Sequence, residues 1–305
     1  MESLTLKKEW YVLELSITQQ PQSGFLGGPR NKSLIVCMKQ IPYNVSISQL
    51  GKREIYISSP TGIYEDAISI YYSLVTLLML FDGCFYPVVK AFDGADITKS
   101  WNMRSLPNYV SADFMLDASN KLLEFDSVLD ETLFQHWCSI KQELDIVHNM
   151  VLYCLSSVEM PKDMQCAFMV ESFKGVCELI HSEEPSFVLP LNTKKKLELK
   201  PAFLAILDKY GTDVFSEELN RNREEFVRIL VKSRNRIAHI KSEQGQTYLD
   251  GGESVMYLMK LSLLYRIVLF DLLGIPKKLY NASLISRVQR INDHIVMKSF
   301  LASLS

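Results

Sequence analysis

The sequence predicts an α+β fold, mainly α, with a smaller β-containing N-terminal part followed by a C-terminal helical bundle. Three observations predict it. Short β-branched and aromatic runs are confined to the first sixty residues. Apolar residues then recur at three- and four-residue steps after Leu129. The composition, 48% hydrophobic and 22% charged over 305 residues, can bury a large core in one or two domains. It excludes a disordered tail, a collagen-like repeat and a disulfide mini-protein. The division is placed at 130, with 1–130 a β-rich or mixed region of unassigned role and 131–305 the helical domain with its C-terminal helix.

In the first region, WYVLELSITQ, KSLIVCMKQI and REIYISS read as strands separated by turn-prone stretches such as PQSGFLGGPRN. The glycines Gly24, Gly27 and Gly28 lack the GxGxxG spacing, and Pro29 stands where a helix would have to grow, so the stretch reads as a hairpin loop. Ala67 to Phe81 is an uncharged apolar run, shorter than the roughly twenty residues of a membrane span. It reads as a buried helix or a strand plus helix. Loop-rich sequence follows around Gly94, Trp101 and Pro107.

Beyond Leu129 the periodicity is helical. Leu133, Trp137, Ile140, Leu144, Val147 and Val151 predict one helix over 131–158, ended by Pro161. Further helices are expected over 163–181, over 201–210 with Gly211 as its stop, over 216–241, and over 253–273, closed by Gly274 and Pro276. The run Lys194-Lys195-Lys196 reads as a solvated loop.

A net charge of −2 gives no whole-chain sign of nucleic-acid binding. The six cysteines form no CxxC pair, the start MESLTLKKEW has no signal-peptide core, and Lys260, Arg266 and Asp271 interrupt the greasy run over 255–275. These features predict a cytoplasmic protein with reduced thiols, no membrane insertion and no zinc site.

Chemistry concentrates in one helix. Arg221, Arg223, Arg228, Lys232, Arg234 and Arg236 are offset only by Glu224 and Glu225. On a helical wheel, Phe226, Leu230, Ser233, Ile237 and Ile240 share one face, the expected core. Asn235 and His239, one i, i+4 step apart, lie opposite. Val227, Val231 and Ala238 form a second small apolar strip, which predicts a helix contacted on two faces. From geometry alone, a surface histidine without a role is as good a reading. His136, His148, His181 and His294 read as structural or surface residues.

The stretch Arg234-Asn235-Arg236-Ile237-Ala238-His239 resembles the Arg-Asn-x-x-x-His motif of the HEPN superfamily of helical ribonucleases. Arg-x4-His alone recurs readily by chance among eleven arginines and five histidines; the added asparagine makes it rare. A long motif helix, a loop and an apolar closing helix also fit, and the MVESF segment with Phe134 and Trp137 resembles the HEPN domain of ApeA-like anti-phage proteins over about 131–275. The resemblance implies a C-terminal HEPN-like bundle and a metal-independent endoribonuclease acting by 2′-OH attack, giving 2′,3′-cyclic phosphate and 5′-OH ends. It further implies a defence (abortive infection) or toxin effector acting on host RNA such as tRNA or another structured RNA. The alternative is a non-catalytic RNA-binding or dimerisation module of the same fold.

In this reading His239 exchanges protons, Arg234 holds the phosphate, and Asn235 orients the imidazole or donates to phosphate. Glu171 reads equally as a site-orienting acid or a solvated helix glutamate. Lys232, Arg236 and Lys241 read equally as RNA contacts or merely exposed cations. No cofactor or metal is implied. The expected partners are RNA, a second copy forming a composite active site, and a phage-derived trigger or regulatory protein.

Overall fold

A computed structural model describes residues 11–17, 30–50, 52–83, 88–93, 95–96, 120–144, 146–155, 160–239 and 247–304. The glycine loop of residues 24–28, Cys84, Gly94, Trp101, Pro107 and Lys241 lie outside these. The chain divides into two compact units, residues 1–118 with 124–138, and residues 119–123 with 139–305.

The first unit carries an antiparallel sheet of β1 (Tyr11–Ile17), β2 (Arg30–Met38), β3 (Ile41–Leu50), β4 (Lys52–Ser59), β5 (Val88–Asp93) and β6 (Ala95–Asp96) in the order β2-β3-β4-β1-β5-β6. Strand periodicity sends alternate residues to one face, so Leu34, Val36, Tyr43, Val45, Ile47, Ile55 and Ile57 are buried. Between β2 and β3, Lys39 (φ 48°) and Gln40 (φ 68°) make a two-residue turn with both residues left-handed, the twist that suits a tight hairpin. Lys39 Nζ donates to Asp66 Oδ1 at 2.8 Å, tying that turn to α1 (Tyr64–Asp82). The apolar run of α1 is one helix, buried at Leu74, Leu77, Leu78 and Phe81 and ended by Gly83 at φ 67°. The short α2 (Phe125–Val128) and the start of α3 (Glu131–Leu144) complete this unit, with Trp137 Nε1 donating to Ser73 O at 2.7 Å.

The second unit is helical: α4 (Ile146–Leu155), α5 (Lys162–Glu183), α6 (Leu199–Ile206), α7 (Thr212–His239), α8 (Gly251–Leu272), α9 (Asn281–Asn292) and α10 (Ile295–Ser303). The architecture is therefore α+β and mainly α. Helix α5 packs against α4, α6, α7 and α8, and α8 is buried nearly all round, from Tyr257 to Phe270.

The span predicted as one helix over 131–158 is described as α3 and α4, with Asp145 and residues 156–159 outside the described residues. Buried Phe134, Trp137, Ile140, Leu144, His148, Val151 and Leu152 keep a three-and-four spacing along it. One helix expectation is corrected. Gly211 does not stop a helix: a π-helical turn, Leu207–Gly211, runs straight into α7. The glycine there answers a packing need, because a Cβ would lie 2.9 Å from Leu207 Cδ2. Among the described residues no helix is long and apolar enough to cross a membrane.

Candidate functional site

The motif helix is the second half of α7. At Asn222 the backbone leaves the helical region (φ −158°, ψ 85°), and its Oδ1 accepts a hydrogen bond from Glu225 N at 3.1 Å. Asn222 is thus the N-cap of a new helix running to His239. Phe226 anchors that helix, its ring 5.2 Å from Phe215 and 5.4 Å from Tyr257. Phe226, Val227, Ile229 and Leu230 are all buried. Val227 therefore belongs to the core of the unit, contrary to its assignment to a second apolar strip. That strip shrinks to half-buried Val231 and exposed Ala238, because α7 is embedded over a wider arc near its cap than at its C-terminal end. Ser233 and Ile237, expected on the core face, are half-buried for the same reason.

The structure brings Arg234, Asn235 and Glu171 together. Arg234 Nε lies 2.7 Å from Glu171 Oε2 on α5, and its Nη1 donates to Asn235 Oδ1 at 2.9 Å. The Arg234 side chain is 22% exposed and that of Glu171 34%, so the pair is partly open to solvent. Asn235, Ala238 and His239 are exposed next to it. With its carbonyl oxygen occupied, the Asn235 amide presents its NH2 as a donor.

The basic cluster is less basic than its count of cations. Arg223 pairs with Asp208 and Glu224, Arg228 with Glu225, and Arg234 with Glu171. The hydrogen bond from Arg228 holds the Glu225 carboxyl below the usual carboxylate range. Arg236 differs: it is exposed, and its guanidinium lies 5.1 Å over the ring of Tyr248. Lys232 is half-buried.

Sequence reasoning missed Asn222, Ser233 as a connector, and Tyr248. Ser233 Oγ donates to Ile229 O at 2.8 Å and accepts from Leu249 N at 2.8 Å, which fastens the chain after the loop to the motif helix. A cleft beside Arg234 is lined by Asp163, Val170, Ser233, Arg236 and Leu249. Among the described residues no group of three His, Cys, Asp or Glu side chains is placed to hold a metal ion. Three of the remaining histidines are tied into the fold. His148 is buried with Nδ1 2.8 Å from Tyr265 OH, His181 Nδ1 lies 2.7 Å from Phe187 O, and His294 caps α10 by accepting from Val296 N.

No curated protein matches the chain, and no solved structure does. One family model, that of the Apea-like HEPN domain, matches residues 171–279. The match starts at Glu171 and spans α7 and α8; the earlier helices over 131–170, included in the resemblance read from sequence, fall outside it. Residues 171–279, with Glu171 facing Arg234 of the Arg-Asn-x-x-x-His helix, are thus similar to the Apea-like HEPN domain.

Proposed function

We propose that the chain is a metal-independent endoribonuclease whose catalytic residues are Arg234, Asn235 and His239, with Glu171 as the residue that positions Arg234. One observation carries the reading: the Glu171–Arg234–Asn235 cluster holds a guanidinium and an amide one helical turn before exposed His239. RNA needs no external nucleophile. Its 2′-oxygen attacks the adjacent phosphorus, the bond from phosphorus to the 5′-oxygen breaks, and a 2′,3′-cyclic phosphate and a 5′-OH result. One group takes the 2′-OH proton and another gives a proton to the departing 5′-oxygen. The Arg234 guanidinium and the Asn235 NH2 suit the developing charge on the phosphorane.

A single chain presents one motif imidazole. In this reading a second copy supplies the other, across an interface that includes Ala238 and Val231. Arg236, Lys232 and Lys241 track the phosphate backbone, and the enzyme acts in defence or as a toxin on host RNA such as tRNA, under a phage-derived or regulatory trigger. The test is twofold. Sedimentation should give a dimer at micromolar concentration. Expression in a host should arrest growth for wild type and not for His239→Ala. A strict monomer, or equal toxicity of the variant, would overturn the corresponding part.

A further inference from the structure

Four arginines of the motif helix can be compared by what their guanidinium groups touch. Arg223, Arg228 and Arg234 each face a carboxylate. Arg236 does not: among the described residues no carboxylate sits against it, and it lies instead 5.1 Å over the Tyr248 ring. This arrangement is held from the backbone. Leu249 N donates to Ser233 Oγ, and Leu249 is 4% exposed, so the residue before it is fixed beside the helical turn of Ser233 to Arg236, one turn before His239. A planar cation over an aromatic ring, half open to solvent, offers what an unpaired nucleobase stacks on, with a positive charge for the neighbouring phosphate.

We infer that Tyr248 and Arg236 form a stacking platform for the unpaired base next to the cleaved phosphate, so that the substrate is RNA in a loop or single strand. The identity of the ligand rests on the nuclease reading above. The chemistry of that reading makes the same demand independently. In an A-form duplex the 2′-oxygen is not in line with the departing 5′-oxygen, and the nucleotide must be splayed from the stack before attack. A ring beside the motif stabilises the splayed base. Tyr248 is a binding residue here; no proton passes through its hydroxyl.

The test uses the full chain, a hairpin RNA with an unpaired loop, and the same sequence annealed to its complement. Tyr248→Ala and Tyr248→Leu should each raise KM for the loop RNA about tenfold while kcat stays within about twofold, and Tyr248→Phe should match wild type. Leucine keeps the apolar bulk, so a purely structural Tyr248 would tolerate it; equal melting temperatures for the variants establish that they fold. Anisotropy with His239→Ala as background should show the same loss of affinity for loop RNA, with the duplex bound more weakly throughout. If Tyr248→Leu binds loop RNA as wild type does, or wild type binds loop and duplex equally, the platform is overturned while His239-dependent cleavage stands. If loop RNA is bound through Tyr248 but never cut, the nuclease reading fails and the platform remains. Absence of any RNA binding overturns both.

Discussion

Arg234 Nε stands 2.7 Å from Glu171 Oε2, joining the motif helix to α5 at the one point where a positioned guanidinium matters to the chemistry proposed. A partly exposed ion pair of this kind contributes little to stability, about 0–1 kcal/mol. Its value lies in geometry. Glu171→Gln keeps the size of the side chain and removes its charge, and should lower kcat for RNA cleavage roughly ten- to a hundredfold. KM and melting temperature should change little. Steady-state kinetics beside thermal unfolding check this; an unchanged kcat would leave Glu171 a surface glutamate.

Asn222 begins the helix that carries the motif, and its side chain satisfies Glu225 N. Asn222→Ala should cost about 1 kcal/mol, whereas Asn222→Asp should cost almost nothing, since both acids and amides cap well. Urea unfolding measures it as a lower midpoint at unchanged slope.

The other half of α7 is held by charges with no access to water. Lys260 Nζ lies 2.6 Å from Glu218 Oε1, both side chains 0% exposed, and also donates to Asn292 Oδ1 at 2.9 Å. Burial lowers the Lys260 pKa, and the Glu218 carboxylate opposes that shift. Lys260→Met should destabilise by about 3–5 kcal/mol because it strands the Glu218 charge; adding Glu218→Leu should recover most of the loss. A double-mutant cycle in urea reads both values.

Acid should weaken the second unit through His148. Burial pushes its pKa down from 6.5 to about 3, so between those values the unfolded chain binds the proton and the folded one does not. Stability from this group is complete above 6.5 and is lost as pH falls through the window toward 3. From pH 6.5 to 5.5 the loss should be about 1 kcal/mol. His148→Gln should flatten that part of the stability–pH curve, measured by urea midpoints at each pH.

The helical half was legible because helix periodicity shows in any stretch with one buried face, and α5, α7 and α8 lie close to their expected spans. The break inside α7 was not legible: the cap at Asn222 sits inside a run of polar residues where one more asparagine carries no signal. In the first unit β3 went unread, although Tyr43, Val45 and Ile47 alternate cleanly, because Pro42 and Asn44 broke up its look as a strand. The motif itself was readable as a string of residues. That Glu171 reaches Arg234 depends on how α5 packs on α7, a tertiary fact with only the MVESF segment to hint at it. Tyr248 had one available signal, an aromatic residue following a basic helix. The charge count misled in the other direction, since Asp208, Glu225 and Glu171 neutralise three of the arginines.

The central claim is that His239 and Arg234 cut RNA without a metal. The most direct measurement incubates RNA with the purified protein in excess EDTA and determines the chemical ends of the fragments by mass spectrometry. The account predicts 2′,3′-cyclic phosphate and 5′-OH ends from wild type, and intact RNA with His239→Ala or Arg234→Ala. Cleavage by either variant at the wild-type rate, or 5′-phosphate ends from wild type, would contradict it.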